Sequence, residues 1–208
     1  MNPKNSLKLS GYMAAALFLV SSALAAENPA VSLKAGGRLR LLGDSTLHPY
    51  ASTATIMNIS AELEPDSGLS LSEAVRTLKV LKFELAIPVK GLRSGESGLD
   101  KNLYAALKEN KSPVIDFKLS KYQVFSDPAE SQSTLIKAVG QLTIAGVSRA
   151  VELEAKGRLS EHEAVFAGNK KLLMSDFGVK PPTLMFGMIK VRDPIVVEFE
   201  ISLQLESK

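Results

Sequence analysis

Val197-Glu198-Phe199-Glu200-Ile201-Ser202-Leu203-Gln204-Leu205-Glu206 alternates apolar and polar side chains without a break. Successive side chains of a β-strand point to opposite faces, so this run predicts a strand with one dry face and one wet face. Working back along the chain, Val151, Leu153, Ala155, Gly157 and Leu159 repeat the pattern against Glu152, Glu154, Lys156 and Arg158. Leu81, Phe83, Leu85, Ile87 and Val89 alternate with Lys82, Glu84 and Ala86, and Leu33, Ala35, Gly37, Leu39 and Leu41 with Lys34, Arg38 and Arg40. Weaker alternation covers 55–63, 115–119, 135–144 and 164–174. The expectation is an all-β chain of about eight strands.

Turn chemistry separates two pairs of runs. Pro65-Asp66-Ser67-Gly68 carries residues that preset or permit turn dihedrals, and Ala145-Gly146-Val147-Ser148 reads as a tight hairpin. One helix is expected near 98–110, where Leu99, Leu103, Ala106 and Leu107 recur at helical spacing before Pro113 ends it. It would lie across an opening or an edge of the sheet. Periodicity leaves a barrel and a sandwich both open. A membrane-spanning barrel is disfavoured, because such barrels carry aromatic girdles and this chain has no Trp, four Tyr and eight Phe.

Residues 1–25 read as a cleavable signal peptide: Lys4 and Lys8, then the apolar run Gly11–Val20, then Ala23-Leu24-Ala25. Residues 26–208 are expected to form a single periplasmic or secreted domain. The apolar run is too short for a stable membrane span, which needs about 20 residues. The chain has 25 Lys+Arg against 22 Asp+Glu; without the leader's two lysines the balance is nearly neutral. The charges are interspersed, so nucleic acid is not an expected partner. With no cysteine, thiol catalysis, cysteine-based metal sites and disulfide stabilisation are excluded.

Catalysis is poorly supplied. His162 sits in Glu161-His162-Glu163 and reads as a solvated turn. His48 follows Asp44 and Ser45, but a triad is defined by geometry rather than adjacency, and a structural role is the plainer reading. Lys90-Gly91-Leu92-Arg93-Ser94-Gly95-Glu96-Ser97-Gly98 lacks a P-loop ending and reads as a loop leading into the helix, whose N-terminus with Arg93 would attract a polar or anionic headgroup. Residues 174–193 hold two Phe and three Met, which suits either core packing or an adaptable apolar contact surface.

These stretches bring out a resemblance. Gly43-Asp44-Ser45-Thr46-Leu47-His48, Val89–Gly95 continuing through Leu99–Tyr104 to Pro113–Phe117, Gly140–Val147, and Ser175-Asp176-Phe177-Gly178 with Pro181-Pro182 together resemble the YceI-like family of exported polyisoprenoid- or lipid-binding domains, over roughly 33–205. The chain departs from common members at Pro49-Tyr50 and in the Met185-Phe186 loop. The resemblance implies a lipocalin-like antiparallel β-barrel with a long apolar pore for an isoprenoid chain, and it transfers no catalytic residue, no metal and no catalytic cofactor.

The expected occupant is a hydrophobic small molecule, a quinone-like or polyprenyl lipid. The expected lumen residues are Leu39, Leu41, Met57, Ile59, Phe83, Leu85 and Ile87 from the first half of the chain, and Phe117, Leu142, Ile144, Leu153, Phe199 and Ile201 from the second. Tyr104 and Leu107 on the helix, with Phe177, Met185 and Phe186, are expected at the mouth, where a headgroup would meet His48 or Arg93. A non-catalytic envelope stress or interaction module with a filled core is the alternative, an enzyme using His48 the remote one, and a homodimer is left open.

Overall fold

The computed structural model describes residues 31–64, 69–126 and 133–205; the expected leader and the Pro65–Gly68 turn lie outside them. Eight strands close an antiparallel barrel: β1 (Val31–Ser45), β3 (Asn58–Leu63), β4 (Val80–Pro88), β6 (Val114–Ser126), β7 (Thr134–Ile144), β8 (Val147–Leu159), β9 (Glu163–Leu173) and β11 (Ile189–Leu205). They follow that order around the wall, and the circle closes where β11 pairs with β1; the two-residue β10 (Thr183–Leu184) pairs with the start of β11. The barrel expectation therefore holds, and the sandwich does not.

Alternation dictates the closing seam. Leu33, Ala35, Leu39 and Leu41 face Leu205, Leu203, Phe199 and Val197 across the ladder, all on the inner side. On the outer side Arg38 meets Glu200 at 3.2 Å and Arg40 meets Glu198 at 3.5 Å. A shift of one residue would turn every one of these side chains to the wrong face. Such exposed ion pairs contribute little to stability, so the seam rests on its backbone hydrogen bonds and its buried face. At Gly37 an added Cβ would lie 2.2 Å from the Glu200 carbonyl, so this close approach admits only glycine.

The two strand paths beside β1 are kinked at one level. β2 (Tyr50–Ala54) pairs with β1 and is separated from β3 by residues 55–57; β4 runs through a short 3-10 turn at Val89–Gly91 into β5 (Leu92–Arg93), which pairs with β2. Thr55 ties the kinks together, its amide and its hydroxyl both donating to the Gly91 carbonyl at 2.8 Å. The hairpin joining β7 and β8 is the expected two-residue turn, with Ala145 at φ 52° and Gly146 at φ 83°, the positive-φ pair that matches strand twist.

Two helices cover the ends. α2 (Ser97–Ala106) is the expected helix, but it stops sooner than expected because Lys108 takes a left-handed conformation (φ 55°) and the chain turns before Pro113. α1 (Leu71–Arg76) was not anticipated. At six residues it is too short to show periodicity, and burial of Leu71, Ala74 and Val75 holds it, with a capping box between Ser70 and Glu73. Tyr122 Oη donates to the Val75 carbonyl at 3.1 Å and fixes α1 across the end opposite α2.

Two bulges displace the expected faces. In β4, Glu62 pairs with Lys82 but Leu63 with Val80, so Leu81 is the extra residue and points outward, 59% exposed rather than buried. In β6 the pairing skips Ser120, so Tyr122 and Val124 take over the inner face from Ile115, Phe117 and Leu119. A bulge sets two residues opposite one and reverses the alternation beyond it.

At the end of α1, Leu78 is half exposed and held at φ 62°, a conformation that costs a non-glycine residue about 1–2 kcal/mol. Leu78→Gly should raise stability by about 0.5 kcal/mol, net of the extra freedom glycine gives the unfolded chain. Thermal melting followed by circular dichroism checks this.

Candidate functional site: an apolar lumen roofed by a helix

The inner faces of the strands do not fill the barrel. Beneath α2 lies a cavity of about 190 Å³. Its wall is built from alternate residues of the strands, among them Leu39 and Leu41 from β1, Phe83, Leu85 and Ile87 from β4, Ile115 and Phe117 from β6, Leu142 and Ile144 from β7, Val151 and Leu153 from β8, and Val197, Phe199 and Ile201 from β11. Leu99, Asn102, Leu103, Ala106 and Leu107 of α2 form the roof, and Phe177, Val179 and Pro182 complete the rim.

A second apolar cavity of about 110 Å³ lies toward α1, lined by Val75, Tyr122, Ile136, Phe166 and Leu203 among others. Phe83, Phe117, Leu153 and Ile201 border both cavities. The lumen is thus two chambers on either side of a waist, where the Phe83 and Phe117 rings meet edge to face with centroids 6.3 Å apart and planes at 62°. Glycine makes room for the waist: a Cβ at Gly140 would fall 2.4 Å from the Phe117 ring, so that ring lies over bare backbone. Apolar cavities of order 150 Å³ stay dry and accept apolar guests.

Eleven of the thirteen expected lumen residues line the larger cavity; Met57 and Ile59 do not. The kink after β2 carries them to a stretch where β1, paired with β11 on its other edge, has no partner on the β2–β3 edge between Ser32 and Arg40, and there they border a separate concavity with Ala35 and Ser60. Of the expected mouth residues, Leu107 and Phe177 line the cavity. Tyr104 packs beside it and donates its hydroxyl to the Leu92 carbonyl at 2.8 Å, tying α2 to β5.

Arg93, His48 and Phe186 lie outside the cavity lining. Arg93 is 3.6 Å from Asp100 and stacks 5.9 Å over the Tyr104 ring, outside the lining. His48 is exposed, with Nδ1 2.8 Å from the Pro49 carbonyl. Phe186 is fully exposed at φ 56°, and the Met185 side chain lies outside the described residues.

Lining residues that the sequence reading passed over include Tyr50, Ser52, Lys170, Leu172 and Ile195. Ser52 faces inward beside Leu41 in the short β2, which had shown no clear alternation. Lys170 occupies an inner position of β9 between Gly168 and Leu172, and its place in that alternation was visible in the sequence. Burial, aided by the nearby Asp44 charge, raises the pKa of Tyr50 and keeps its hydroxyl neutral. Among the described residues no group of three or more His, Cys, Asp or Glu side chains converges to hold a metal, and no helix is long and apolar enough to cross a membrane.

A model of the YceI-like domain matches residues 46–203. The chain belongs to the YceI-like family. The barrel extends beyond that match, since β1 supplies one of its walls. Among solved structures, BcnA of Burkholderia cenocepacia aligns with a TM-score of 0.60 at 14% identity, covering 80% of this chain and 95% of BcnA. A polyisoprenoid binding domain from Saccharophagus degradans aligns with a TM-score of 0.59 at 13% identity, covering 84% and 98%. The YCEI protein of Campylobacter jejuni aligns with a TM-score of 0.50 at 22% identity, covering 74% and 86%. At these identities the likeness is one of fold. No curated protein matches the sequence.

The approach to α2 depends on Asp100, whose carboxylate accepts from the Ser94 hydroxyl at 2.6 Å and the Ser94 amide at 2.8 Å. Those two hydrogen bonds, with the Arg93 charge a smaller contribution, hold its pKa below the ordinary carboxylate value. A lowered folded pKa contributes stability that is whole above the unfolded value of about 3.9 and is lost as pH falls through the folded one. Asp100→Asn should therefore lower the melting temperature at pH 7, with the gap to the native chain closing below about pH 4. Paired melts across that range test it.

Proposed function

We propose that this protein binds a slender apolar molecule, a polyisoprenoid or related lipid such as a quinone-like or polyprenyl species, in the barrel lumen, and carries or sequesters it without catalysis. The observation that supports the reading is the helix-roofed apolar cavity, with a second chamber in line behind it. The Saccharophagus degradans neighbour, described as a polyisoprenoid binding domain, is consistent with the same ligand class. Removal of residues 1–25 on export would place the protein in the periplasm or outside the cell.

Affinity in this reading comes from desolvating the ligand, about 25 cal/mol per Å² of apolar surface, less the cost of ordering a flexible chain. A short chain fills the chamber under α2; a longer one must turn the Phe83 and Phe117 rings aside to enter the chamber behind them. Polar groups would then stay near the mouth, since the far chamber offers only the Tyr122 hydroxyl, already bonded to Val75.

Native mass spectrometry of protein expressed with its leader in a bacterial host tests this directly. The expected result is a co-purifying mass that organic extraction removes and an isoprenoid probe restores. Ile144→Trp, which pushes an indole into the larger chamber, should reduce probe binding at least tenfold while the barrel's circular dichroism is retained. Protein that carries no lipid and takes up no isoprenoid overturns the proposal.

A further inference from the structure

One charged side chain faces the lumen. Lys170 lies directly across the β9–β11 ladder from Val197, and both line the larger cavity. It is half buried, and among the described residues no carboxylate pairs with it. The acids of the neighbouring strands face outward or are engaged: Glu198 and Glu154 lie on the outer face, paired with Arg40 and Lys137, and Asp193 accepts from the amide and hydroxyl of Ser175. The cation therefore stands beside the apolar cavity with water, and no protein counter-ion among the described residues, as its partner.

The wall is built to keep that cation at the surface of the lumen. The β8–β9 ladder ends at Ala155 and Gly168, so Lys170 is the first inward position beyond it. From there the 3-10 turn at Met174–Phe177, held by Arg149 Nε donating to the Asp176 carbonyl at 3.0 Å, follows β9 at the rim. A lysine lays its stem on apolar surface and keeps its ammonium hydrated, which an unpaired seam permits. Register also puts Ser52, Leu41, Val197 and Lys170 in one row across β2, β1, β11 and β9. That row sits on the α2 side of the waist, and Asn102 of α2 joins the same lining. Polarity in the lumen is thus gathered near the mouth, with apolar surface below.

We propose that Lys170 anchors an anionic headgroup, so that the lumen takes a single-chain amphiphile ending in a phosphate or carboxylate, its head at the Ser52–Lys170 row and its tail toward Phe83 and Phe117. This rests on the reading that the lumen holds an apolar chain. Charge-assisted hydrogen bonds to such a head would add selectivity that a neutral isoprenoid alcohol does not receive.

Farnesyl phosphate and farnesol share a tail and differ in the head, so their dissociation constants test the assignment. The native chain should prefer farnesyl phosphate by about tenfold, the equivalent of about 1.4 kcal/mol. Lys170→Met, which keeps the stem, should bring the ratio of the two dissociation constants, measured on the same variant, to about one, while Lys170→Arg should retain the preference. Raising salt should narrow the preference. Equal affinity of the native chain for the two probes, or an unchanged preference in Lys170→Met, overturns the assignment while leaving the lumen reading intact. Tight binding of inorganic phosphate alone overturns the amphiphile in favour of a free-anion site. If neither farnesyl probe binds the native chain, the lumen reading itself fails.

Discussion

Everything inside this molecule depends on the ladder between β1 and β11. An open sheet of eight strands would present an edge and one exposed apolar face; closing the first strand on the last removes the edge and converts that face into an interior. The pairing spans nearly the whole of both strands, from Leu33 opposite Leu205 to Ser45 opposite Val191. Its partners lie at opposite ends of the sequence, so closure is a late and costly contact in chain entropy, and strict alternation on both strands is what makes only one register acceptable.

Closure sets the wall, and the end covers set what the interior can do. α1 covers one end with buried Leu71 and Val75, the latter bordering the smaller chamber, and α2 roofs the other with leucines that line the larger one. Thr55 ties the paired kinks at residues 55–57 and 89–91 together, and Tyr104 and Asp100 pin the roof to β5 and to the loop that leads into α2. The result is an interior with a smaller chamber toward α1 and a larger one under α2.

Much of this was legible in the amino-acid order, because alternation is a direct readout of strand facing. All eight wall strands could be placed that way, and the leucines of α2 by their helical spacing. What escaped notice has physical reasons. Leu81 and Tyr122 lie at bulges, where a single extra residue reverses the facing without any mark in composition. α1 is too short to show a period and is held by what it packs on. His48 and Arg93 were placed at the mouth for their chemistry, but neighbouring groups engage them elsewhere: the Pro49 carbonyl in one case, Asp100 and Tyr104 in the other. Lys170 is the opposite case, since its inward facing could be read from Gly168 and Leu172, yet a charged residue in a strand invites the assumption that it faces water.

The waist formed by Phe83 and Phe117 has a thermodynamic consequence. Rings and leucines bordering two unfilled chambers lack partners on one side and forfeit dispersion contacts that a packed core would supply. A guest restores those contacts, so occupancy and folding are linked: a ligand present at a hundred times its dissociation constant adds about 2.7 kcal/mol to the stability of the folded chain. The empty and loaded forms would then differ in resistance to unfolding and proteolysis, so that the lifetime of the chain would report its occupancy.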